Sequence, residues 1–322
     1  MIVLFKNDVD YFDYMVDDTG CLCEKKINNP FLKYVCNIHR SVKLNRIINM
    51  PFKSIWYKYY LDYSKLSVSD KIFFLFFEGN QLAYDKAYIL YLRKKFPKAK
   101  FIFRYTNMKY SLNEWTFAYV EKVYDLIITM DVCDSNSDKW VCYSNTYNLS
   151  KIKQNDGNKC TYDLFFVGRD KGRHDELLKL YYFLTNKNMN CLFLLYGVDK
   201  KKQVKNLEGI KYIDFMKYKD IVEYILSSKC ILEIVQNSQK GSSLRPMETI
   251  VYEKKLLTNN SNIVNYDYYN DENMFVFSEV EDIDIDFIKT EAKVSNRDKD
   301  KISSKKLFDM IENYFCVEEG DV

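Results

Sequence analysis

Through the second half of this chain, short apolar runs rich in β-forming residues alternate with segments of helical period. No other feature of the sequence restricts the fold as strongly. Residues 162–168 (YDLFFVG) form one such run, ending at a glycine, and from His174 to Asn186 the residues Leu177, Leu180, Tyr181 and Leu184 share one helical face. CLFLLYG (191–197) and GIKYIDF follow as strand signals, then YKDIVEYILS as a helix and CILEIV (230–235) as a strand. PMETIVYEKK reads as a helix, LLTNN as a strand end and MFVF (274–277) as one more strand. Strands alternating with helices imply βαβ units and a parallel sheet covered on both faces.

The first half carries the same rhythm less clearly. IVLF (2–5), KIFFLFFEG (71–79), KFIFRY (100–105) and YDLIITMD (124–131) read as strands. Residues 81–96 read as a helix ended by Pro97, while 20–65 give no clear assignment. The polar stretch 144–161, with its Asp-Gly turn signal, reads as a linker between halves, and 303–315 as an amphipathic helix. The expected fold is therefore α/β, with two Rossmann-like doubly wound domains. Residues 1–150 form the first and 151–285 the second, and the helical segment 286–322 is expected to cross back toward the first.

Composition narrows the class further. Nine Gly and four Pro in 322 residues exclude collagen-like and Pro-rich chains, and 47% hydrophobic residues exclude disorder. No apolar run is long enough to span a bilayer, and the first residues do not read as a signal peptide, so a cytoplasmic location is expected. Nine Cys without a C-x-x-C pattern fit reduced thiols, and two His make a zinc site unexpected. Charge is uneven: residues 1–160 carry 24 basic and 17 acidic groups, against 24 and 28 in residues 161–322. Eight cations and no acid lie between Lys86 and Lys109, which makes 86–109 a candidate contact for phosphate or an anionic membrane at its inner face. The absence of a recognition motif argues against nucleic acid.

In doubly wound sheets ligands sit beyond the carboxyl ends of the strands. Two loops there are rich in the groups that hold phosphate. Gly168-Arg169-Asp170-Lys171-Gly172-Arg173 joins two glycines and three cations before a helix. The second, Gly241-Ser242-Ser243-Leu244-Arg245-Pro246-Met247-Glu248, places glycine and serines before a helix on which Arg245 and Glu248 share a face.

The G-R-x-K-G loop and the S-L-R-P-M-E-T-I segment, followed by KKLLTNN, resemble the donor-site elements of GT-B nucleotide-sugar glycosyltransferases. The likeness covers about residues 160–265 at motif level. YLRKKFPKAKFIFRY and YDLIITMD are similar to bacterial polysaccharide and lipopolysaccharide enzymes of this class. The resemblance implies two domains facing across a cleft and transfer of a sugar from a nucleotide-sugar to a carbohydrate or lipid-linked acceptor. It also implies that Arg169, Lys171 and Arg245 face the donor diphosphate, and the loop residues Gly168, Gly241, Ser242 and Ser243 are expected to bind the donor with them. Glu248 would bind the ribose, and Tyr196, Gly197 and the Ile213–Met216 segment would surround the base. No metal or other cofactor is implied, since the cations neutralise the leaving nucleotide. Retaining members often carry a second Glu eight residues before the ribose-binding one. Lys240 stands at that position, so the stereochemistry is open.

An inverting reaction needs a base, for which Glu78 at the end of FFLFFEG is the candidate; Asp8, Asp10, Asp131 and His39 are rivals. The D-I-D-I-D run at 282–286 lies in an acidic stretch near the end of the chain and does not read as a manganese site. Two other readings are a nucleotide-sugar epimerase and a non-catalytic α/β interaction protein.

Overall fold

The computed structural model describes residues 1–6, 10–48, 50–78, 86–106, 114–131, 138–153, 160–236 and 239–320. The chain divides into two compact units. One comprises Met1–Asp13 with Asp18–Tyr143, and the other Tyr14–Asp17 with Ser144–Val322. Segment 286–322 belongs to the second unit.

The first unit is built on six parallel strands: β1 (Ile2–Phe5), β2 (Leu22–Cys23), β3 (Phe73–Phe77), β4 (Lys100–Arg104), β5 (Leu126–Thr129) and β6 (Trp140–Cys142), in the order β2-β1-β3-β4-β5-β6. All five residues of β3 are buried, as a strand covered on both faces requires. Phe5 pairs in register with Phe76, and their rings stack at 4.2 Å between centroids. The sense of strand addition reverses between β1 and β3, so Lys6 and Glu78 follow the two strands at the switch point.

The second unit carries β7 (Tyr162–Arg169), β8 (Cys191–Tyr196), β9 (Ile210–Ile213), β10 (Ser228–Glu233), β11 (Lys255–Thr258) and β12 (Met274–Val276), all parallel, in the order β12-β11-β10-β7-β8-β9. This is the Rossmann order, with its switch point between β7 and β10. The helix His174–Asn186 buries Leu177, Leu180, Tyr181 and Leu184, the stripe its period predicts.

Two expectations need correction, and one unassigned stretch gains its elements. The stretch 144–153 is not a solvated linker: Asn145, Thr146, Tyr147 and Asn148 are all buried. Their polar groups are satisfied inside the second unit. Asn145 donates to Ser242 O (3.0 Å), Thr146 to Met15 O (2.7 Å) and Asn148 to Val16 O (3.1 Å). The polar composition thus marks paired burial. Residues 154–159 and 81–85 lie outside the described residues. The basic run 86–109 is also less available than its charge suggests. Arg104 is fully buried and donates to Tyr143 O at 2.9 Å, with burial pulling its guanidinium down to about 10. Arg93 pairs with Asp125 at 2.7 Å and lies over the Phe101 ring. Lys109 lies outside the described residues. Finally, the segment 20–65 contains β2, the helices Pro30–Arg40 and Val42–Ile47, and the turns that lead to β3.

Candidate nucleotide-binding site

Both sequence-predicted loops stand at the β7/β10 switch point. The chain leaves β7 at Arg169 and turns through Lys171 and Gly172, both at positive φ (45° and 81°). Asp170 then accepts the backbone N–H of His174 at 2.9 Å, which satisfies one orphan donor of the following helix. Arg173 braces the loop. Its guanidinium donates to Ile234 O, just beyond β10, and to Arg169 O (2.5 Å), and it lies over the Phe166 ring. Arg173 is thus committed to structure, and burial holds its guanidinium below the usual arginine range.

Arg169 and Lys171 remain exposed. Arg169 pairs with Tyr196 across β7 and β8, and its side chain runs over Gly197. Gly197 takes φ +75°, and a Cβ there would come within 3.3 Å of Arg169 Cγ and Nε. The glycine therefore provides both the turn after β8 and the room in which Arg169 lies. Gly168 serves a different need, because a Cβ there would meet the Phe166 ring at 2.9 Å.

The second loop is anchored from below by Glu233, the last residue of β10. Its Oε1 accepts the Ser243 hydroxyl and the Ser243 N–H (3.1 Å), and its Oε2 accepts the Thr258 hydroxyl (2.7 Å). Glu233 is buried, which raises its carboxyl above the usual range against the opposing pull of these hydrogen bonds. Ser243 passes the order on, its Oγ accepting Arg245 N–H at 3.1 Å. Ser242 is fully buried; its N–H donates to Tyr266 and its carbonyl accepts Asn145. Asn237 and Ser238 lie outside the described residues.

Arg245 and Glu248 form the expected same-face pair, with the Glu248 side chain fully buried and 18% of Arg245 exposed. One Glu248 oxygen pairs with Arg245, and the other accepts the Tyr218 hydroxyl at 2.6 Å. Behind Tyr218 stand Tyr147 (3.5 Å) and Tyr252, which is 2.8 Å from Tyr147. Burial raises the Glu248 carboxyl although Arg245 and Tyr218 oppose it. Burial pulls the Arg245 guanidinium down, yet the adjacent carboxylate carries it above its usual value. Glu248, expected at the ribose, holds Arg245 in this arrangement. Both of its oxygens are bonded inside the unit, so Glu248 fixes Arg245 from behind.

Beside the second loop, a cavity of about 580 Å³ opens at the ends of β10 and β11, lined by Gln236, Gln239, Lys240, Asn259, Asn260 and Asn262 among others. Asn260 is buried, and its side-chain nitrogen has no partner among the described residues.

The candidate base Glu78 follows β3 in the first unit. Its carboxylate accepts the Thr106 hydroxyl (2.5 Å), the Thr106 N–H (3.2 Å) and the Tyr11 hydroxyl (3.3 Å). Of its rivals, His39 accepts the Trp56 indole N–H at 3.2 Å, Asp131 is buried, Asp10 is partly exposed and Asp8 lies outside the described residues. In the D-I-D-I-D run, Asp282 and Asp284 accept helix-start N–H groups at 2.9 Å.

Sequence reasoning passed over Glu233, Tyr218 and the Asn259–Asn260 pair. Glu233 left a signal: it is the one acid within the apolar run CILEIV. Tyr218 and the asparagines left none.

No family model matches the chain, and no curated protein matches its sequence. Among solved structures, the chain is similar to AviGT4, a glycosyltransferase involved in avilamycin A biosynthesis. Identity is 11%, the likeness covers 79% of this chain and 86% of that one, and the TM-score is 0.51. A lower TM-score, 0.49, relates it to an alpha-glucosyltransferase in complex with UDP and a 13-mer DNA containing a HMU base, at 9% identity over 76% of this chain and 80% of that one. Anabaena Alr3699/HepE, in complex with UDP and glucose, is similar at 8% identity over 92% and 85%, with TM-score 0.47. The two-sheet Rossmann-like fold class expected from the sequence is the one observed, and AviGT4 shares it.

Proposed function

We propose that the protein is a metal-independent glycosyltransferase of the hexosyltransferase type. It moves a sugar from a nucleotide-sugar to a saccharide or lipid-linked saccharide in surface polysaccharide synthesis. The observation that carries this reading is the pair of loops at the β7/β10 switch point, one bearing exposed Arg169 and Lys171 after β7 and the other leading from β10 to Arg245. In this reading the donor diphosphate lies against Arg169, Lys171 and Arg245, beside the Gly241–Ser243 loop. Tyr196 and Gly197 border the base. The amide-lined cavity takes the sugar, whose hydroxyls suit Asn and Gln groups that both donate and accept.

Charge on the departing nucleotide is met by fixed guanidinium groups, so no metal ion is needed to stabilise it. Glu248 acts through Arg245 by holding its guanidinium in one orientation. Glu78 takes the proton of the acceptor hydroxyl.

Calorimetry with UDP, ADP and GDP tests the donor site. One nucleotide is expected to bind, with Arg169→Ala and Arg245→Lys each weakening it by about tenfold, the loss of roughly one charge-assisted contact. If no nucleotide binds, or if both variants bind as the parent does, the reading fails. Turnover is then measured on saccharides, lipid-linked saccharides and duplex DNA. Transfer to DNA alone overturns the acceptor assignment while leaving the donor site intact. Loss of turnover in a chelator, restored by a divalent cation, overturns the metal-independent mechanism.

A further inference from the structure

From Lys25 to Leu61 the chain carries eight Lys and Arg residues and no Asp or Glu. This stretch, in the first unit, folds as the helices Pro30–Arg40 and Val42–Ile47 and the turn Lys53–Trp56, which leads into Tyr57–Tyr60. Its inner side is well committed: Cys36, Trp56, Tyr57, Tyr60 and Leu61 join the core of the unit. Asn45 ties the two helices together, donating to His39 O and Ser41 O, both at 2.8 Å.

The outer side is unusual. Ile47 is 81% exposed, Phe52 77% and Phe31 72%, and Tyr34, Leu44, Ile48 and Ile55 are exposed with them. Fourteen large apolar side chains are exposed among the described residues, and these seven fall within 25 positions of one another. Scattered exposed apolar residues need no explanation, but a concentration of this kind does.

Charge identifies the occupant. A second copy docking through the same face would bring like cations against it and be repelled. A nucleic-acid backbone would satisfy the cations but offer nothing to Ile47, Ile48 and Ile55. A bilayer bearing anionic headgroups meets both needs: opposite charge at its surface, and an apolar layer just beneath into which Phe and Ile side chains insert. Lys25 is already answered by Asp62 at 3.7 Å and Arg40 lies over the Tyr60 ring, so neither is needed for the contact. We propose that the face carrying Phe31, Tyr34, Ile47, Ile48, Phe52 and Ile55 docks the protein on an anionic membrane surface. This places the membrane contact on a different part of the first unit from the basic run 86–109, where Arg104 is buried and Arg93 is paired.

Vesicle flotation of the full chain tests the proposal. Vesicles with about one-third phosphatidylserine in phosphatidylcholine are expected to bind the protein, and pure phosphatidylcholine vesicles to bind it about tenfold less, as befits a contact that needs surface charge. Ile47→Asp combined with Phe52→Asp is expected to lower binding to anionic vesicles by about tenfold or more, since it removes insertion and adds negative charge. Both side chains are exposed, so the melting midpoint and nucleotide binding stay as in the parent. Lys94→Glu with Lys98→Glu, on the other basic run, retains vesicle binding. If the first double variant binds anionic vesicles as well as the parent does, the proposal fails. It fails equally if the parent ignores vesicles yet shifts duplex DNA, or forms dimers that this variant abolishes.

Discussion

The Tyr218 hydroxyl donates to Glu248 Oε1 at 2.6 Å, while the other oxygen of that carboxylate pairs with Arg245. A fully buried acid thus stands between a phenol and the guanidinium assigned to the donor diphosphate. Its position makes Glu248 a support for Arg245, and this relationship has measurable consequences.

Tyr218→Phe removes one hydroxyl and leaves the ring packed at 4.6 Å from Tyr14. A buried carboxylate oxygen loses its donor, at a cost of about 1–3 kcal/mol in stability. Chemical denaturation is expected to show that loss. Calorimetry is expected to show nucleotide affinity falling several-fold, because Arg245 is less firmly oriented. An unchanged affinity alongside lowered stability would confine Tyr218 to a structural part.

Stability should depend on pH through Glu233 and Glu248. Both carboxyls are raised by burial, so the folded chain holds their protons more tightly than the unfolded chain does. The stability they contribute is fully present below the unfolded value near 4.5 and is lost as pH rises through the raised folded values. Glu233→Gln is expected to flatten part of this slope, and denaturant midpoints taken from pH 4 upward, a range starting just below the ordinary carboxylate pKa of about 4.3, measure it. Arg245→Ala acts in the opposite sense. It leaves Glu248 without its cation, raises that carboxyl further and steepens the fall.

Gly197→Ala combines a φ of +75° with a Cβ pressed against the Arg169 side chain. The backbone term costs about 1 kcal/mol, and Arg169 is displaced from where it now lies. Nucleotide affinity is expected to fall by about as much as in Arg169→Ala, with only a small change in melting midpoint. If affinity holds, Arg169 does not reach the ligand from its place over Gly197.

Gly209→Ala tests packing far from the proposed chemistry. An added Cβ would collide with the carbonyl oxygen of Cys191 and come within 2.7 Å of the Tyr181 ring. Gly209 also accepts Phe193 N–H at 2.7 Å, so the strand cannot simply move away. A loss of about 1–3 kcal/mol or more is expected from denaturation. Little change in stability would mean that β8 and the Tyr181 ring shift freely.

The alternation of apolar runs and helical periods determined the class of fold, because burial on both faces of a parallel strand and on one face of a helix leaves a local, periodic trace. The same trace located β7, β8, β10 and the helix His174–Asn186, and so placed the loops at Gly168 and Gly241 at strand ends. Tertiary structure decided what each polar side chain does. Arg104 looks like surface charge in the sequence and is buried; Asn145 looks like linker and is bonded to Ser242, 97 positions away. Arg173 reads as a third phosphate cation and instead braces Ile234. Glu248 reads as a same-face partner of Arg245, and the fold adds Tyr218 at its other oxygen. Hydrophobic periodicity is set by neighbours three or four residues away, whereas the cost of burying a polar group depends on a partner that only the completed fold brings within reach.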